Sequence, residues 1–192
     1  MKTQILTGTG EHTFEINDTQ VHVFFLHNYS GTLTTDIRVV GAQVYIFGLY
    51  LGTESDSFTL NTIQHHVIGG SQSNLLIKGV FKDASRFQYE GLIRIEPGAH
   101  ESNAYQKNQN LILSNDVYVD SRPYLEILAD DVRCTHGSTT GRLNTDQLQY
   151  VQSRGLDHEQ AEDLLVDGFI TDMFDQLHLL GCTSITRSSL GI

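Results

Sequence analysis

The chain contains no tryptophan, two prolines and two cysteines, and each scarcity removes a class of protein. Cys134 and Cys182 are too few for a disulfide framework, and no CxxC is present. Pro97 and Pro123 both sit between apolar runs, where a missing amide donor costs little. Positive charge is also short. Twelve Lys and Arg against 23 Asp and Glu leave a formal charge of −11. A phosphate backbone needs clustered cations and an anionic membrane surface attracts them, so neither nucleic acid nor membrane is expected as a partner. No stretch approaches the ~18 apolar residues that span a bilayer, and the first residues lack the apolar core of a signal peptide, so a cytoplasmic protein is expected. Missing too are GxxxxGK[ST], a GxGxxG after a strand, GxSxG and HExxH. The chemistries those motifs carry have no support here.

What the chain does have changes character near residue 141. Before it, short apolar runs are split by Gly, Asn, Asp and Ser: VHVFFLH (21–27), AQVYIFGLYLG (42–52), SNLLIKGVF (73–81), GLIRIEPGA (91–99), NLILSNDVYV (110–119) and YLEILADDVRC (124–134). Their β-branched and aromatic residues and their turn-residue borders read as strands. No Asn-Gly or Asp-Gly marks a two-residue hairpin in this region. A loose register runs through Leu75, Leu92, Leu111 and Leu125, at spacings taken as about one rung of a β-solenoid. The pattern alone leaves two architectures open, a parallel β-helix and the commoner jelly roll.

After residue 141 the signals turn helical. Asn144 is placed to cap a helix with Gln147 as its capping-box partner, ended by Gly155. Asp157 caps a second helix with Gln160, and Ala161, Leu165, Phe169, Met173 and Leu177 form its apolar stripe. Gly168 is a place for a bend, and the segment after Leu180 reads as a loose tail. The expected division is a β core over 1–141 and a helical region over 142–192.

Candidate chemistry is sparse. Cys134 and His136 are two apart, so on a strand they share a face about 6.5–7 Å apart and can converge on one ion. A thiolate with an imidazole suits iron–sulfur or zinc chemistry, yet two ligands leave a tetrahedral site incomplete. The bland alternative makes Cys134 a small buried hydrophobe and His136 a turn residue. His65 and His66 are adjacent, face opposite ways on a strand and cannot chelate together. Asn103, Asn108 and Asn110 suit polar ladders in a stacked β-structure. The acidic residues of 157–163 suit the start of a solvated helix.

Residues 109–169 carry a more specific signal. Gln-Asn-Leu-Ile-Leu-Ser (109–114), Pro123-x-Leu125-Glu126-Ile127 and Asp130-Asp131-Val132-x-Cys134-x-His136-Gly137-x-Thr139 are followed by Leu148-x-Tyr150, Ser153-Arg154-Gly155-Leu156, Ala161 and Gly168-Phe169. This string resembles the SufB/SufD family, the core subunits of the SUF iron–sulfur cluster assembly system. Residues 55–108 are similar more loosely, and the first 50 only in texture. The Cys-x-His-Gly form is closer to SufD, because SufB subunits often carry Glu where Gly137 stands.

The resemblance implies a right-handed parallel β-helix followed by a short α-helical region. It implies a non-enzymatic scaffold that pairs with itself or a longer family member, docks a SufC-like ABC ATPase, and meets a cysteine desulfurase system only indirectly. Cys134 and His136 then correspond to proposed ligands of a transient, nascent cluster or iron. Leu148, Tyr150, Arg154, Gly155 and Leu156 fall in the region that meets the ATPase, which alone binds nucleotide. Glu159, Glu162 and Asp163 are candidates for an accessory carboxylate. Family members usually exceed twice this length, so the chain reads as a minimal core of six or seven rungs. Two rival readings are a purely stabilising partner without cluster ligation and a β-solenoid carbohydrate-active enzyme. The last needs paired carboxylates, and Asp130-Asp131 face opposite ways.

Overall fold

The computed structural model describes all residues, 1–192, as a parallel β-solenoid of about four turns with three helices near its C-terminus. The strands are β1 (Lys2–Ile16), β2 (Val21–Ile37), β3 (Gln43–Gly52), β4 (Ser57–His66), β5 (Gln72–Phe81), β6 (Arg86–Ile95), β7 (Asn103–Ile112), β8 (Tyr118–Ile127) and β9 (Arg133–Gly141). The helices are α1 (Thr145–Gln152), α2 (His158–Leu179) and α3 (Arg187–Leu190). All strand pairings are parallel, and the jelly roll is thereby excluded.

β2 turns a corner between its halves. Its first half pairs with β3 and its second with β4, so the strands divide into two walls. Wall A stacks β3, β5, β7 and β9; wall B stacks β4, β6 and β8. Gln43 pairs with Gln72, Gln72 with Asn103 and Asn103 with Arg133, so one turn takes about 30 residues. The spacing through Leu75, Leu92, Leu111 and Leu125 therefore steps from one wall to the other, two strands to a turn, rather than from rung to rung. The expected six or seven rungs are corrected to about four turns. Gly31 makes the corner possible. Its φ is +137°, and a Cβ there would lie 1.8 Å from the Gly10 carbonyl oxygen.

Three apolar clusters hold the structure. The lumen between the walls is filled by Phe24, Leu26, Leu33, Ile46, Tyr50, Leu75, Phe81, Phe87 and their neighbours. Phe87 packs tilted against Tyr50 and stacked on Phe81, with ring centroids 4.6 and 5.2 Å apart. A second cluster lies on the outer face of wall A, where Phe25, Phe47, Leu49, Leu76 and Val80 receive Ile170, Met173 and Leu177 of α2. The third, smaller cluster closes the last turn with Ile93, Ile95, Ala99, Ala104 and Ala129.

Both expected N-caps form. The Asn144 side chain accepts from the backbone of Asp146 and Gln147, without the reciprocal Gln147 bond, and Asp157 with Gln160 makes a complete capping box. α2 runs unbroken through Gly168. Lys78 of β5 is buried beneath it, donating to the Phe169 carbonyl at 2.6 Å and to Asp172 at 2.7 Å, with its ammonium 4.5 Å from the Phe169 ring centroid. The tail is not loose. Cys182 and Ile185 enter the second cluster, because α2 alone does not cover the apolar face of wall A, and Arg187 clips α3 to Asp167 and Thr171.

Candidate functional site

β9 is the last strand of wall A and pairs only with β7; β8 is the last strand of wall B and pairs only with β6. Together they form the open end of the solenoid, with one backbone edge of each strand unpaired. Alternation decides what that end presents. Ala104, Gln106, Asn108 and Asn110 of β7 are buried toward the lumen. Their register partners on β9 are Cys134, His136, Ser138 and Thr140. Cys134 and His136 thus share the lumen side of the terminal strand, as their spacing requires.

Their environments differ. Cys134 is half-buried and packs against the cluster of Ile93, Ile95, Ala104 and Ala129, whereas the His136 ring is exposed. Burial raises the Cys134 thiol above its usual range, and a hydrogen bond with the Ala104 backbone pulls it partly back. The sulfur is consequently a thiol at neutral pH, and a metal ion bound there would have to displace that proton. The greasy environment expected of an inert cysteine and the accessibility expected of a ligand meet at this residue, on the rim of the lumen.

Behind the pair the lumen is polar. Asn108 and Asn110 bond to each other at 2.7 Å, Asn110 reaches Thr140 at 3.2 Å, and Ser121 of β8 donates to Asn108 at 2.9 Å. Ser138 donates to Ser121 at 2.9 Å and so links the two walls of the terminal turn. Asn108 and Asn110 pair within their own strand and reach neighbouring strands through Thr140 and Ser121 rather than through a ladder of asparagines, while Asn103 faces outward and is exposed. Gln106, one strand below His136, sends its Nε2 across the lumen to the Gly91 carbonyl at 3.3 Å. Around this mouth the β8 residues Tyr124, Leu125 and Ile127 are exposed, followed by exposed Leu128.

The remaining candidates lie elsewhere on the fold. Tyr150 on α1 is 60% exposed; Arg154 donates to its hydroxyl at 2.8 Å and lies 5.1 Å from its ring centroid. Leu148 and Leu156 are half-buried, and Gly155 takes φ +98° to turn the chain between the helices. Glu159, Glu162 and Asp163 occupy the first turns of α2. No group of three His, Cys, Asp or Glu side chains converges to hold a metal, so none of these carboxylates completes a set with Cys134 and His136 in one chain. The donor set of one chain fits half of a tetrahedral iron or zinc site. An apolar cleft of about 410 Å³ beside Tyr45, Tyr105, Lys107 and Leu180 lies on the outer face of wall A, away from the lumen-side pair.

Sequence reasoning missed Gln106, Gly91 and Lys78. Only Lys78 left a trace, as the single charge within the apolar run SNLLIKGVF. His65 and His66 do face opposite ways. His65 sits outside between Asp36 and Glu96 at 2.9 and 3.0 Å, and His66 is buried in the lumen.

No helix is long and apolar enough to cross a membrane. Comparison with known proteins matches residues 21–169 to the family described as SUF system FeS cluster assembly, SufBD core domain. The chain is 30% identical over 165 residues to the iron-sulfur cluster assembly protein SufD of Escherichia coli, a match covering 86% of this chain and 38% of that protein. It is 35% identical over 130 residues to SufD of Bacillus subtilis, covering 68% and 29%. A SufBD family protein of Synechocystis is 36% identical over 107 residues, covering 56% and 24%. The chain therefore spans well under half the length of these relatives. A match over most of the solenoid and into α2, together with a thiol and an imidazole side by side at its open end, places the chain in the SufBD family of the SUF iron–sulfur cluster assembly system.

Proposed function

We propose that the chain is a scaffold subunit for iron–sulfur cluster assembly, offering Cys134 and His136 as half of a ligand set at the open end of its solenoid. The observation that carries this reading is their common position on the lumen side of a strand whose outer edge is unpaired. Two donors need two more, and an unpaired edge beside exposed Tyr124, Leu125 and Ile127 needs cover. A second family chain, this one or a longer relative, meets both needs by seating on β8 and β9. The transient cluster is cargo, held by thiolate and imidazole and then passed on.

The chain has no phosphate-cradling loop, so in this reading ATP hydrolysis belongs to an ABC-type partner. That partner docks on the helical region through Leu148, Tyr150, Arg154, Gly155 and Leu156. Tyr150 and Arg154 support the assignment: Tyr150 stands on a short helix that buries no residue of its own, and Arg154, just past the end of that helix, donates to the tyrosine's exposed hydroxyl. α2 packs directly on wall A, the sheet that ends in β9, so a movement of the helices has a physical route to Cys134. Glu159, Glu162 and Asp163 stay accessory candidates toward a partner chain.

Anaerobic reconstitution with ferrous iron and sulfide tests the reading. Wild type is expected to develop sulfide-to-iron charge-transfer absorption, which Cys134→Ser abolishes and His136→Ala weakens. Equal absorption in wild type and Cys134→Ser removes the ligand assignment. Retained capture of the ATPase by that variant then favours a purely stabilising partner.

A further inference from the structure

Gln106 is only 1% exposed, yet its Oε1 meets no hydrogen-bond donor. Orphaned buried amide oxygens are rare, and each calls for a reason. The fold makes an evident concession to this side chain. A Cβ on Gly91 would lie 2.2 Å from the Gln106 Nε2 and 2.2 Å from the Tyr89 hydroxyl, so wall B gives up a side chain where the amide crosses. Isoleucine or leucine would fill the same space without an orphan acceptor, as Ile93 and Leu75 do nearby. Packing therefore does not explain the glutamine.

Register does. Gln106 is the direct partner of His136, one strand away on the same side of the wall. Adjacent strands lie about 4.8 Å apart, within the reach of a glutamine amide to a neighbouring ring nitrogen. A histidine that ligates metal through one nitrogen almost always donates its other N–H to an oxygen that fixes its tautomer and orientation. We propose that Gln106 is a positioning residue for His136: its free Oε1 accepts an N–H of the imidazole, draws the exposed ring over the lumen mouth, and leaves the other nitrogen bare as an acceptor. The Nε2 bond to Gly91 holds the amide the right way round, because flipping it would set oxygen against oxygen. This inference rests on the ligand reading of His136 for its purpose, but not for its test.

The test is nitrogen-15 NMR of the full chain labelled at histidine, with His136 assigned by its loss in His136→Gln. In metal-free wild type, His136 is expected to hold one neutral tautomer. Gln106→Leu returns it to the averaged shifts of a free imidazole. Zinc ion, used as a probe, binds 10- to 100-fold more weakly to Gln106→Leu than to wild type. An averaged tautomer in wild type overturns the proposal by itself, whether or not the variants fold. So do identical His136 shifts in wild type and Gln106→Leu. A tautomer set by Gln106 in a protein whose Cys134 and His136 bind no zinc upholds the positioning pair and removes the ligand reading instead.

Discussion

His66 gives the fold a calculable dependence on pH. Its ring is fully buried, with Nδ1 2.8 Å from Ser71 Oγ and Nε2 2.8 Å from Ser73 Oγ. Ser73 Oγ already accepts from Gln64 Nε2 at 2.8 Å, so its own proton goes to His66 Nε2. Nδ1–H then donates to Ser71, whose hydroxyl points to the Ile68 carbonyl at 3.4 Å. Every bond in this chain runs one way, and it needs a neutral ring. Burial, with a smaller contribution from His65, lowers the His66 pKa to about 4. An unfolded histidine titrates near 6.5, so below that pH the unfolded state takes up a proton that the native state refuses. Stability from this group is complete above pH 6.5 and is lost as pH falls toward 4. At about 1.4 kcal/mol per unit, the loss is about 2 kcal/mol between pH 7.5 and 5, and about 3 kcal/mol by pH 4. His66→Gln does not titrate and cancels the contribution of every other group in the comparison. Urea unfolding followed by circular dichroism, since there is no tryptophan to report, should show wild type losing about 2 kcal/mol more than His66→Gln between pH 7.5 and 5. Equal losses refute the buried neutral histidine.

Lys78→Met removes two hydrogen bonds but lets the half-exposed Asp172 rehydrate, so it should cost about 1–2 kcal/mol, and Lys78→Ala about 3 kcal/mol with the added cavity, by urea unfolding. Amide exchange in α2 should accelerate in both, and unchanged exchange would separate the helix from the lysine. Gly31→Ala meets both a positive φ and the Gly10 carbonyl, and a loss of about 2–4 kcal/mol is expected from thermal or urea unfolding; a neutral result contradicts the corner geometry.

The two walls explain which strands were legible in the sequence. β3 and β5 are buried on both faces, against the lumen and against α2, and so read as continuous apolar runs. β4, with exposed or half-exposed residues at every second position, alternates too gently to stand out, and β1 carries mostly polar residues along an edge. The apolar runs at 110–119 and 124–134 each straddle a corner, because β7 and β9 place amides and hydroxyls in the lumen where a hydrophobic pattern expects aliphatic residues. The helix caps are local chemistry, so Asn144 and Asp157 announced them. Burial of Cys182 and Ile185 depends on the distant face of wall A, which no window around residue 182 contains. Cys134 and His136 were visible as a spacing. Their place at an open lumen, above an orphaned glutamine, is a property of the register between β7 and β9.

Native mass spectrometry of the anaerobically reconstituted protein tests the central claim most directly, because it counts chains, iron and sulfide in one ion. If Cys134 and His136 are half of a shared ligand set, every cluster-bearing ion contains two family chains, and single chains carry none. Complete clusters on single chains, or clusters that persist in Cys134→Ser, would contradict it.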